Sequence, residues 1–359
     1  MELSKERIES LRELLAPANR KIVIVAHTNP DGDAVGSSLA WAEVLRGMGH
    51  EVTCIVPNKY PYFLDWMPGI GQVVVFKNDT AGDAVRAIAE ADLLFCLDFN
   101  AVSRLEILSD TIEANTTARR VLIDHHLSPD GHFDLSFSYP DSSSTCFLVY
   151  SIIEALFGTD AITRQMAEAL YVGIMTDTGN FAYSILDADL FRAVAVLIDR
   201  GINVPHIYSA VYNNFSEGRM RLLGYVLNDK MKLLWEHGTA YVGLTEEEMR
   251  RFNFKQGDSE GFVNYPLSIR GINLSAMFIE THRDIRVSLR SRGDVDVNVF
   301  ARRYFGGGGH RNAAGGKSFV TMEETIRHFE RSVREYFGEL PPPATDNGDT
   351  DNGSPSQVE

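Results

Sequence analysis

Between Lys21 and Asp124 short apolar runs alternate with longer stretches of helical periodicity. KIVIVA, EVTCIV, QVVVF, DLLFCL and RRVLID are each continuous enough to be strands buried on both faces. The segments between them, AVGSSLAWAEVLRGMG most clearly, repeat apolar residues at helical intervals and end on glycine. Such alternation with uninterrupted apolar strands predicts an α/β fold with a doubly wound, mostly parallel sheet. From Ser142 to Leu227 the pattern turns mostly helical: STCFLVYSIIEALFG, RQMAEALYVGIM, DLFRAVAVLIDRG and EGRMRLLGYVL. Near Met231 it changes again, and MKLLWE, TAYVGLT, INLSAMFIE and IRVSLRS read as strands of a smaller mixed α/β domain. The expected organisation is a first domain over 1–228, a second over 229–339 and a cleft between them. The tail 340–359 has no apolar periodicity and is expected to be disordered.

Composition narrows the class. A chain of 359 residues is long enough for two domains, and 44% hydrophobic with 23% charged residues is ordinary for a soluble globular protein. Lys+Arg number 34 against Asp+Glu 49, a net charge of −15, which argues against a protein that coats duplex DNA. Cys54, Cys96 and Cys146 sit in or beside apolar runs without paired spacing, so they read as buried thiols in a reducing compartment. The opening MELSKERIESLRELL is a charged amphipathic helix without a signal-peptide core, and no stretch is long enough to span a bilayer. A cytosolic location is expected.

In an open α/β sheet, function is expected just beyond the carboxyl ends of the strands. There the sequence places His27-Thr-Asn-Pro-Asp31-Gly-Asp33 after KIVIVA, Asp98 after DLLFCL, and Asp124-His125-His126 at the end of RRVLID. Asp177 follows the helical YVGIMT. An Asp after a strand is most often a cap or turn residue, and Asp33 has the position to cap a helix starting at Ala34. Four such clusters in order, each at an element terminus, form a pattern that capping does not account for. Carboxylates packed together repel unless cations neutralise them, and imidazole with carboxylate but no thiolate suits Mn²⁺ or a similar divalent ion. A carboxylate shared by two ions would set up a clamp for in-line phosphoryl displacement.

These residues resemble the successive motifs of the DHH phosphoesterase superfamily, over about residues 20–190. Gly306-Gly-Gly-Gly-His310-Arg-Asn-Ala-Ala-Gly-Gly316 resembles the glycine-rich signature of its associated C-terminal domain. Within the superfamily the similarity is to the NrnA type: nucleases of short oligonucleotides that also remove the 3′-phosphate of phosphoadenosine phosphate. The resemblance implies one Mn²⁺ on His27, Asp31 and Asp98, and a second on Asp33, Asp98, His125 and Asp177, with Asp98 as the bridge. It further implies that His126 faces the scissile phosphate and that Asp124 orients the neighbouring imidazole. The implied partners are short single-stranded oligonucleotides and small nucleotides, with no membrane; a homodimer is left open.

The second domain reads independently as an anion holder. Between Thr281 and Ser318 stand eight basic residues and three acidic ones, a net of +5 on an acidic protein. GGGGH can expose backbone N–H groups to a phosphate, although a flexible loop explains four glycines equally well. His310, Gly307, Gly308, Gly309, Arg290 and Arg302 are therefore candidate substrate contacts, and Arg104 is a further candidate near Asp98. Two weaker signals are the run Ser142–Thr145, which opens a helix whose amino end is a candidate anion site although ordinary capping explains it as well, and Phe181 with Tyr183, which are candidates for base stacking although buried aromatics are commoner. Rival functions with the same metal motifs are a RecJ-like single-strand exonuclease and a soluble cyclic-dinucleotide phosphodiesterase. A nucleotide-binding module that has lost catalysis is the alternative outside the enzymes. A family II pyrophosphatase is disfavoured by GGGGH, where that family carries a basic motif.

Overall fold

The computed structural model describes residues 3–130, 133–182 and 185–339. The expected tail at 340–359 and Tyr183 lie outside the described residues. The chain divides into two compact units: 1–223 with 250–260, and 224–249 with the residues from 261 onward.

In the first unit, β1 (Lys21–Ala26), β2 (Glu51–Val56), β3 (Val74–Val75), β4 (Leu93–Leu97), β5 (Arg119–Asp124) and β6 (Leu135–Ser138) form one sheet. Its order is β3-β2-β1-β4-β5-β6, and every pair is parallel. α1 (Lys5–Leu15), α2 (Gly32–Gly47), α3 (Asp83–Ala89), α4 (Ser109–Ala114), α5 (Thr145–Phe157), α6 (Arg164–Asp177), α7 (Ala188–Asp199) and α8 (Val204–Tyr212) surround it, and α9 (Glu217–Tyr225) leads out.

The apolar runs are continuous because successive residues feed different cores. Ile22, Ile24, Phe95, Leu97, Val121 and Ile123 pack with α2, α5 and α6. Val23, Val25, Leu94, Cys96 and Leu122 pack on the other side with Ala84 and Ile88 of α3 and Ile112 of α4. This is the doubly wound arrangement. Each fully buried Leu, Ile or Phe contributes roughly 1.5–3 kcal/mol, so burial on both faces holds the sheet together. QVVVF departs from expectation: only Val74–Val75 pair, both half-buried, because they lie on an edge strand. The short edge strand β6 and helix α8 are additions to the pattern read from the sequence.

The second unit holds β7 (Lys232–Leu234), β8 (Thr239–Leu244), β9 (Leu274–Glu280), β10 (Ile285–Ser291), β11 (Gly308–His310) and β12 (Ala313–Ser318). Their order is β11-β12-β10-β9-β8-β7, antiparallel except for the parallel pair β8–β9. α10 (Glu246–Arg251) follows β8, and α11 (Val297–Phe305) precedes β11. α12 (Met322–Glu339) closes the described chain. Phe278, Phe300, Phe305 and Phe329 centre its core. Among the described residues no helix is long and apolar enough to cross a membrane.

Candidate metal centre

The sheet order reverses between β1 and β4, the switch point where open α/β sheets place their ligands. His27 leaves the end of β1 and Asp98 the end of β4. Asp98 has φ +63°, a left-handed conformation costing a non-glycine residue about 1–3 kcal/mol, and its N–H still bonds the Ile123 carbonyl at 3.1 Å. Asp31, rather than Asp33, is the N-cap of α2: its carboxylate accepts the N–H groups of Asp33 and Ala34 at 2.9 and 3.1 Å. Asp33 is thereby freed from capping and turned inward in the first turn.

The helices close on Asp33 because glycine removes the side chains between them. A Cβ on Gly173 of α6 would stand 2.1 Å from Cys146 Sγ and 2.8 Å from Asp33 Oδ1, and one on Gly36 would stand 2.4 Å from the Ala169 carbonyl. Asp33 receives the Thr145 N–H at 2.7 Å and the Cys146 N–H at 2.8 Å. The amino end of α5 therefore does hold an anion, and that anion is Asp33 itself. Ser144 supplies the ordinary cap, its Oγ accepting the Phe147 N–H at 3.0 Å.

Six residues converge in two groups: His27, Asp31 and Asp98, and Asp33, His125 and Asp177. Asp98 faces both. Its Oδ2 lies 3.4 Å from His27 Nε2 and its Oδ1 3.6 Å from His125 Nε2. His27 Nε2 is 4.0 Å from Asp31, and His125 Nε2 is 3.8 Å from Asp33 and 3.5 Å from Asp177. Asp177 is the last residue of α6 and is partly exposed.

The orientation of the rings fits a cation. His27 Nδ1 lies 2.9 Å from the Thr28 carbonyl and His125 Nδ1 3.2 Å from the Ser142 carbonyl. A carbonyl only accepts, so Nδ1 carries the hydrogen and Nε2 turns a lone pair toward the carboxylates. Lone pairs and carboxylate oxygens facing one another at 3.4–4.0 Å are too far apart to hydrogen-bond, but suitably spaced to share a divalent ion. No thiolate joins them. Burial pushes the Cys146 thiol well above its usual range, and its Sγ turns to the Asp33 carbonyl at 3.6 Å.

Without a cation the charges are frustrated. Burial, then the Asp177 charge, pushes Asp33 up to about 7. Burial, followed by Asp33 and the other carboxylates, raises Asp98 well above the usual range. Burial lowers His27 and brings His126 down to about 4, and the positive charge of Arg104 adds to both shifts. Arg104 thus sits within electrostatic reach of the site, and its carbonyl also accepts the Thr28 N–H at 2.9 Å.

His126 bonds Asp124, Nδ1 to Oδ1 at 2.7 Å. Burial pushes Asp124 up, but the imidazole partners outweigh it and hold the carboxyl below its usual range. Asp124 therefore orients His126. Thr145 entered the sequence reading only as the end of a helix-opening run, with no link to Asp98, yet its hydroxyl donates to Asp98 Oδ1 at 3.0 Å. Phe181 packs toward Tyr171 and Phe191, with centroids at 6.2 and 5.7 Å, which accounts for it as core-edge packing.

In the second unit the glycine run is an ordered edge rather than a flexible loop. Gly306, with φ +58°, ends α11, and β11 pairs with β12. The Gly307 N–H bonds the Ala301 carbonyl at 3.2 Å and the Gly309 N–H bonds Asn298 Oδ1 at 3.0 Å. Two of the expected cradle donors are thus engaged inside the unit. A Cβ on Gly307 would lie 1.8 Å from the Gly315 carbonyl oxygen, whereas one on Gly308 meets nothing closer than Asn298 Oδ1 at 3.4 Å. Arg302, exposed, bonds Asn298 Oδ1 at 3.2 Å beside Gly308. His310 and Arg290 share one register row through Ala313 of β12. Part of the basic excess is already paired, Arg311 with Asp294 at 3.1 Å and Lys317 with Asp284 at 3.7 Å.

Known proteins share this architecture. An exopolyphosphatase-related protein from Bacteroides fragilis has a crystal structure similar to this chain with a TM-score of 0.86 and 40% identity, over 93% of this chain and 97% of its own. The bifunctional oligoribonuclease and PAP phosphatase NrnA of Thermus thermophilus is 27% identical, over 92% of this chain and 94% of that protein. RecJ of Thermus thermophilus, solved in complex with Mn²⁺, has the same fold at 14% identity and TM-score 0.53, over 94% of this chain and 55% of that one. Residues 239–339 match the DHHA1 domain and residues 21–174 match the N-terminal domain of the DHH family; this chain belongs to that family.

Proposed function

We propose that this DHH-family hydrolase cleaves short oligonucleotides to mononucleotides and removes the 3′-phosphate of phosphoadenosine phosphate, with two divalent cations, Mn²⁺ by preference. The observation that carries the reading is Asp98, buried, with one carboxylate oxygen toward each Asp/His group. His27, Asp31 and Asp98 would hold one cation, and Asp33, Asp98, His125 and Asp177 the other. Bound there, the pair supplies Lewis acidity toward a phosphoryl oxygen and makes water nucleophilic near neutral pH.

The chain's own residues do the rest. Asp124 holds Nδ1–H of His126, and Nε2 is the atom proposed to meet the substrate. A phosphate arriving there favours the protonated ring, which then donates to it. Arg104 adds positive charge beside the same imidazole. In the second unit His310, Arg290 and Arg302 are proposed to hold the far end of the substrate, with Gly308, rather than the internally bonded Gly307 and Gly309, allowing close backbone approach. The names of relatives across most of the chain's length agree with this substrate class: NrnA of Thermus thermophilus and of Bacillus subtilis are both bifunctional oligoribonuclease and PAP phosphatase.

The test is a substrate panel with Mn²⁺: pApA, RNAs of increasing length and phosphoadenosine phosphate. Rates are expected to fall steeply beyond about five nucleotides, since a net charge of −15 leaves little basic track for a longer strand. His310→Ala should raise KM and flatten the length preference while Mn²⁺ binding is kept. Long single strands degraded as fast as dinucleotides would make the enzyme RecJ-like. Absence of hydrolysis across the panel would sink the reading.

A further inference from the structure

The two Asp/His groups are supported in different ways. Asp33 is held by the amino end of α5 and by the glycine contacts of α2 and α6. The His27–Asp31 loop has another support. Asn29, midway between the two ligands, has φ +58°, where a non-glycine residue needs outside help. That help comes from Asn58, just beyond β2. The Asn29 N–H donates to Asn58 Oδ1 at 2.7 Å, and Asn58 Nδ2 donates back to Asn29 Oδ1 at 3.0 Å.

The segment carrying Asn58 is gripped in turn by residues far along the chain. Gln256 Nε2 donates to the Lys59 carbonyl at 2.5 Å. The Tyr62 hydroxyl donates to Asp258 Oδ1 at 3.2 Å, and the other oxygen of this fully buried carboxylate accepts the Lys255 N–H at 2.7 Å. Gly257, at φ +96°, lies so close that a Cβ there would be 2.9 Å from Pro61 Cβ. These residues fall inside the stretch that matches the DHHA1 domain, yet they pack as part of the first unit.

We propose that Asn58 is a positioning residue for the His27–Asp31 half of the centre, and that the strap Lys255–Asp258, drawn from the DHHA1 stretch, holds Asn58 in place. The inference rests on the reading that both Asp/His groups bind divalent cations. Groups that orient ligands without touching the ion commonly alter metal affinity about ten- to hundredfold. Here the effect should fall on one ion and spare the other.

The full-length, metal-free protein is titrated with Mn²⁺ and the free ion is counted by electron paramagnetic resonance, with His27→Ala as the reference lacking one class of site. Asn58→Ala should weaken one class about tenfold and leave the other unchanged. Combined with His27→Ala, it should change nothing further, which assigns the effect to the His27 half. Asn58→Asp, which keeps the acceptor for Asn29 N–H, should restore part of the affinity. Tyr62→Phe, removing one hydroxyl of the strap's grip, should weaken the same class about threefold, and it decides the matter if Asn58→Ala does not fold. Unaltered binding in Asn58→Ala, or equal weakening of both classes, overturns the proposal alone. A wild-type protein that binds no Mn²⁺ overturns the functional reading and this inference with it.

Discussion

His27, Asp33, Asp98 and His125 are buried with polar atoms facing one another across gaps too long for hydrogen bonds. In the glycine run of the second unit, by contrast, Gly307 and Gly309 donate their N–H groups internally and the backbones lie too close for side chains. Both stretches look like functional motifs in the sequence. In the first, folding leaves carboxylates whose charge is opposed by burial and by one another. In the second, much of the glycine requirement is met by packing, which leaves Gly308 and the side chains around it as the surface open to function. A motif signals a ligand most strongly where the fold alone leaves it unsatisfied.

The sharpest way to break this contrast is Asp98→Asn. Loss of the shared charge should cut hydrolysis at least about a hundredfold at saturating Mn²⁺. The metal-free melting temperature should hold or rise, because one carboxylate leaves a repulsive cluster. Activity above about a tenth of wild type would remove Asp98 from the bridging position.

A smaller effect separates the glycines. Gly307→Ala drives a methyl into the Gly315 backbone and should cost about 1–3 kcal/mol in denaturant unfolding. Gly308→Ala has room and should leave stability nearly unchanged, with its effect confined to KM for short substrates. Equal destabilisation by both would erase the distinction between packing and functional glycines.

A third contrast is in pH. Asp33 is raised from 3.8 to about 7, so the folded metal-free protein binds a proton there that the unfolded chain releases. Its contribution is present below about pH 4 and lost as pH rises through 7. The lowered His126 has the opposite sign, gaining stability as pH rises from about 4 to 6.5. Comparison with Asp33→Asn isolates the first group: the stability of the variant relative to wild type should improve steadily from about pH 4 to about pH 7. A difference independent of pH would show that Asp33 is not frustrated in the metal-free fold. Mn²⁺ should reverse the trend for wild type by replacing the proton.

The strands KIVIVA and DLLFCL were legible because residues packed on both faces leave an uninterrupted apolar run. The convergence of His27, Asp31, Asp98 and the Asp124–His126 triplet was legible because parallel strands end on the same side of their sheet. QVVVF shows the limit, since apolarity does not reveal whether a strand lies at the edge or the centre. The sequence by itself determined the doubly wound sheet, the residue types at its carboxyl end and therefore a chemistry of carboxylate and imidazole. Tertiary structure decided which carboxylate caps and which faces inward, that the amino end of α5 is occupied by Asp33, and that residues 255–258 return to brace the segment at Asn58. Those are contacts between residues far apart along the chain, fixed by packing and by where each N–H finds its acceptor, and no local pattern encodes them.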